Sequence, residues 1–85
     1  MTKNVEEKSI GQVIRERRIE LKMQSQELAE KAGSTRTYIS DIEHERKTPG
    51  INVLFRISKA LEINLEDLIS RSNFNEVGEN KTREV

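Results

Sequence analysis

Arg36, Thr37, Ser40 and Asp41 sit close together in the stretch AGSTRTYISDIEHERKTPG, residues 32–50. On a helix, residues four apart share a face, so Ser40 falls beneath Arg36 and Asp41 beneath Thr37. A guanidinium there can donate two parallel hydrogen bonds to the O6 and N7 of a guanine. A hydroxyl can meet a thymine methyl or a polar base edge, and a carboxylate can accept from cytosine N4. Ile39 and Ile42 interrupt these positions and point the other way, toward a core. A short helix that only filled a core would need neither the arginine nor the hydroxyls at its start. The chemistry available is recognition by hydrogen bonds, with no bond made or broken.

The elements that must carry these residues follow from periodicity. Ser9 and Gln12 form a capping-box pattern, and Ile10, Val13, Ile14 and Leu21 make one apolar stripe of a helix from about 10 to 22. Residues 25–32 form a second, short helix with Leu28, Ala29 and Ala32 inward, stopped by Gly33. Thr35 caps a third helix over roughly 36–44. Pro49 keeps Thr48 out of helical space, so EHERKTPG is a loop. Ile51, Leu54, Ile57, Ala60 and Leu61 define a fourth helix. Asn64 caps a fifth, with Asp67 at the capping-box position and Leu65, Leu68 and Ile69 apolar. No strand pattern occurs. The expected organisation is a polar lead at 1–8, one helical domain at 9–70 and a flexible polar tail at 71–85.

Composition narrows the partners. A chain of 85 residues holds one small domain. It has no cysteine, which excludes a disulfide framework and a thiolate metal site. No apolar run approaches the roughly 18 residues of a membrane span, and the first residues lack the layout of a signal peptide. An intracellular, cytoplasmic protein is expected. No glycine-rich phosphate loop, nucleophile elbow or metal cluster is present, so neither an enzyme nor a cofactor is expected. His44, the single histidine, has no partner for ligation or catalysis. The 15 basic and 15 acidic side chains cancel, a mild argument against nucleic-acid binding. Residues 36–56 carry Arg36, Arg46, Lys47 and Arg56 against Asp41, Glu43 and Glu45, so charge alone decides nothing.

Helix order decides more. Two short helices joined by a glycine turn describe a helix-turn-helix, whose second helix enters a major groove about 12 Å wide and meets base edges first with its N-terminal residues. Arg36 and Thr37 hold that position. Free N–H groups at the starts of the second and third helices can hold phosphates.

IGQVIRERRIELKM, QELAEKAGSTRTYISDIE and TPGINVLFRISKALEINLEDLI together resemble the phage-repressor and Cro type of helix-turn-helix domain, the XRE family. The resemblance runs from Ile10 to Ile69. It implies an all-α, five-helix, lambda-repressor-like fold that binds double-stranded DNA, with Arg36, Thr37, Ser40 and Asp41 as base readers. It places Thr35 near the DNA backbone and Arg46 and Lys47 along the phosphates. It also implies a buried ion pair between Arg18 and Glu43. Family members commonly have glutamine where Ser25 stands, so a phosphate contact there would fall to Ser25 or the neighbouring Gln26. They also often have glycine where Glu45 stands, and a capping Ser or Asp where Gly50 stands. Tyr38 packs against the second helix or rests its hydroxyl on a phosphate. Asp41 meets a base or an internal partner.

The function implied is a sequence-specific transcriptional regulator, in the first place a repressor, of bacterial, phage or plasmid origin. It would bind a palindromic operator as a homodimer. Two alternatives stay open: an antitoxin that represses its own operon and engages a protein partner through the tail, and an interaction module that has lost DNA binding.

Overall fold

The computed structural model describes residues 8–72, which form five α-helices. They are α1 (Ile10–Glu20), α2 (Ser25–Ala32), α3 (Arg36–Glu43), α4 (Ile51–Ala60) and α5 (Leu65–Ser70). No strand occurs among the described residues. The all-α, five-helix expectation holds. The first seven residues of the expected lead and residues 73–85 of the expected tail lie outside the described residues.

The helix ends show why the chain breaks where it does. Ser9 Oγ accepts from the Gln12 N–H at 3.1 Å, and Thr35 Oγ1 accepts from the Tyr38 N–H at 3.1 Å. Each hydroxyl satisfies a donor that has no partner within its helix, worth about 1 kcal/mol. Gly33 closes α2 in the left-handed region at φ 67°, and the Ser34 N–H then donates to the Ala29 carbonyl at 2.8 Å. Two ends fall short of the expected ones. α1 stops at Glu20 because Lys22 turns to φ 57°, and α3 stops at Glu43 because Glu45 turns to φ 61°. Asn64 occupies the cap position of α5 but its side chain makes no capping hydrogen bond. The first turn of α5 instead carries Glu66 and Asp67, whose charges favour the positive end of the helix.

The helices touch in a closed ring: α1 on α3, α3 on α2, α2 on α4, α4 on α5, and α5 back on α1. Ile14, Leu28, Ile39, Ile42, Leu54, Ile57, Leu61 and Leu68 fill the centre and are fully buried. Each such side chain contributes about 1.5–3 kcal/mol by leaving water. Leu21 packs at the edge of this core.

Two arginines join the ring by capping carbonyls at distant helix ends. Arg17 donates from Nε to the Leu61 carbonyl at 3.0 Å and from Nη2 to the Glu62 carbonyl at 3.3 Å. Arg56 donates from Nε to the Ala32 carbonyl at 3.1 Å, so it closes α2. Both place a cation at the negative end of a helix.

α1 meets α3 at close range because of Gly11. A Cβ at that position would lie 2.0 Å from the Ile42 carbonyl oxygen. Nothing bulkier than hydrogen fits there.

Candidate nucleic-acid interface

α3 is held from behind and open in front. Ile39 and Ile42 are fully buried, which fixes the rotation of the helix about its axis. Glu43, its last residue, turns inward and receives Arg18 in a two-pronged ion pair: Nε to Oε2 at 2.8 Å and Nη2 to Oε1 at 3.0 Å. Arg18 Nη1 also donates to the Met23 carbonyl at 2.8 Å. Only 3% of the Glu43 side chain is exposed, so this pair sits in the packed interior with its hydrogen bonds made. The ion pair implied by the resemblance is present, and it locks α3 to α1 and to the turn before α2.

The four expected base readers divide. Arg36 and Thr37 are exposed at the N-terminal end of α3, and neither side chain bonds to another described residue. Ser40 and Asp41 are half-buried and engaged. Ser40 Oγ lies 3.4 Å from His44 Nδ1, and the same nitrogen lies 2.8 Å from the Ser40 carbonyl. A carbonyl only accepts, so Nδ1 carries the hydrogen. The Asp41 carboxylate receives Arg46 Nε at 3.0 Å and faces Lys47 Nζ at 3.9 Å. Its carbonyl accepts from the Arg46 N–H at 2.7 Å and the Lys47 N–H at 3.3 Å. The internal partner weighed for Asp41 is there.

The expected phosphate group also divides. Tyr38 is half-buried against the core, with Lys47 Nζ 5.7 Å from its ring centre, so it packs and carries a cation on its face. Arg46 and Lys47 are exposed in the loop after α3 and join Tyr38 and Asp41 in one cluster. Thr35 spends its hydroxyl on the cap. Ser25 opens α2 after Gln24, whose side chain caps nothing, and Gln26 donates to Glu30 at 3.0 Å. Neither Ser25 nor Gln26 bonds to Tyr38, Asp41, Arg46 or Lys47.

Glu45, where the resemblance implies a glycine, takes the left-handed conformation at φ 61°. A non-glycine residue there stores about 1–2 kcal/mol. Its carboxylate accepts from Ser9 Oγ at 3.0 Å, which ties the loop to the start of α1. The charge is thereby drawn toward the positive end of α1. The sequence reading missed this bond and the close approach at Gly11. A capping serine and a glycine two residues apart were visible, but their partners are 36 and 31 residues away, and only the fold brings them in.

Comparison with known proteins agrees with this geometry. A helix-turn-helix family model matches residues 14–68. The immunity repressor of Bacillus phage phi105 is 36% identical over 61 residues, covering 72% of this chain and 42% of that protein. The transcriptional regulator SinR of Bacillus subtilis is 37% identical over 65 residues, covering 75% and 59%. The chain thus spans less than two thirds of the length of either relative. The crystal structure of the P22 c2 repressor with a synthetic operator superimposes with a TM-score of 0.67 at 31% identity, covering 72% of this chain and 92% of that one. By the match of its sequence and the order of its helices, the chain belongs to the helix-turn-helix family of the phage-repressor type.

Proposed function

We propose that this protein is a sequence-specific DNA-binding transcriptional regulator, acting as a repressor by occupying an operator. The observation that carries the reading is the exposed, internally unbonded start of α3. Arg36 and Thr37 project from a helix whose opposite face is fixed by Ile39, Ile42 and the Glu43–Arg18 pair. A rigid helix with free donors at its leading end suits a major groove. The P22 c2 repressor bound to its operator and the phi105 immunity repressor support the same reading.

Arg36 and Thr37 read bases, with Ser40 on the same face one turn on. Arg46, Lys47, Thr35, Ser25, Gln26 and the Tyr38 hydroxyl lie along the phosphates. Two copies bind a palindromic site in the bacterial cytoplasm, with half-sites about 34 Å apart, one helical turn.

Selection of bound duplexes from a random pool tests the reading, because it reports preference, palindromy and spacing together. Arg36→Ala should relax preference at one base pair and cost about 1–3 kcal/mol on the selected site. An equal loss on selected and random duplex would remove Arg36 from base reading. No binding of the wild type to any duplex near 50 mM salt, about where phosphate contacts are strong, would overturn the function itself.

A further inference from the structure

Asp41 stands at a position where a base reader is expected, yet its polar atoms are turned to the chain that follows. Its carboxylate holds Arg46 Nε at 3.0 Å and faces Lys47 Nζ at 3.9 Å, while its carbonyl accepts both backbone N–H groups. One residue therefore grips both the backbone and the side chains of the two loop cations. Its side chain is 18% exposed, against 60% for Arg46 and 57% for Lys47, so the acid lies beneath the cations and the cations face out. The Tyr38 ring bounds Lys47 on a second side.

We propose that Asp41 is a positioning residue for phosphate binding: it sets Arg46 and Lys47 against the end of α3 and reads no base. This rests on the DNA-binding reading above. A bare carboxylate near a phosphate path would repel, but one placed under two cations orders them and is screened by them. The loop cations then reach the DNA backbone already arranged, and less side-chain freedom is lost on binding. Charge on the cations is shared with Asp41 in the free protein, so Asp41 also trims the number of counterions released.

Asparagine keeps an oxygen acceptor for Arg46 Nε and removes the charge, whereas alanine removes both. Fluorescence anisotropy is measured on the selected duplex and on random duplex over a salt series. The proteins are the wild type, Asp41→Asn, Asp41→Ala, and each of these in an Arg46→Ala/Lys47→Ala background. Asp41→Asn should bind both duplexes at least as tightly as the wild type. Asp41→Ala should bind both about threefold to fivefold more weakly than Asp41→Asn, the scale of an exposed charge-assisted contact. That gap should vanish once Arg46 and Lys47 are alanine, and base preference in a repeated selection should be unchanged throughout. Relaxed preference at one base pair in Asp41→Ala would overturn the proposal and return Asp41 to base reading. A gap that persists without Arg46 and Lys47 would also overturn it, since Asp41 would then act by another route. Absence of wild-type binding would overturn the DNA reading and the proposal together.

Discussion

Asp41 and Glu43 stand two residues apart on α3, and each carboxylate holds an arginine at about 3 Å. They face opposite ways. Glu43 turns into the protein and meets Arg18 across 25 residues of sequence, with both of its oxygens bonded. Asp41 turns outward and meets Arg46, five residues on, with most of the arginine in water. Water screens the outer pair, so it contributes little to stability, and in the proposed DNA complex its members would be free to exchange partners with a phosphate. The inner pair has no water to fall back on, so breaking it leaves a buried charge. The same chemistry is thus a fastener on one side of the helix and a water-screened contact on the other.

The contrast is best broken from the inside. Glu43→Ala should destabilise the fold by about 3–5 kcal/mol, because the Arg18 guanidinium is left uncompensated. Urea unfolding followed by far-UV circular dichroism measures it, and a loss below 1 kcal/mol would mean the pair is no fastener. The double replacement Arg18→Met/Glu43→Leu should cost less than Glu43→Ala alone, since no charge remains to be buried. Gly11→Ala should cost about 1–3 kcal/mol or more by pushing α1 off the Ile42 carbonyl. A near-wild-type midpoint for that variant would show that α1 can shift freely against α3. On the outer side, Arg46→Ala should change stability by less than about 1 kcal/mol while lowering the slope of log affinity against log salt by about one phosphate. Glu45→Gly should be the smallest effect on stability, within about 1 kcal/mol of zero. It relieves the positive φ but loses the Ser9 bond and adds freedom to the unfolded chain. Its affinity for all duplexes should rise, because one negative charge leaves the loop.

Much of this could be seen in the residues. The apolar spacing of Ile10, Val13 and Ile14, of Leu28 and Ala32, and of Leu54, Ile57 and Leu61 marked the buried faces, because a helix repeats every 3.6 residues whatever its neighbours. Ser9, Gly33 and Thr35 marked ends because capping is local chemistry. Arg18 with Glu43 came from the resemblance rather than from spacing. What stayed hidden depends on contacts between distant residues. Arg56 looks like one more cation beside Arg46, but its Nε donates to the Ala32 carbonyl and closes α2. Arg17 looks like a solvated helix residue, but it caps the end of α4. Asn64 looks like a cap and bonds nothing. For the interface, the leading end of α3 was legible because the cap at Thr35 and the glycine before it are local signals. The division between free Arg36 and engaged Asp41 was not, since it depends on how the loop folds back.

Arg36 and Thr37 make no bond to the rest of the described structure. Exposed, unbonded positions of this kind tolerate exchange within about 0.5 kcal/mol of folding stability. The fold is therefore indifferent to which side chains stand there. With base reading at Arg36 and Thr37 as proposed, a lineage carrying this domain would acquire a new operator by one or two substitutions while its core stays as it is, so the address would drift long before the scaffold does.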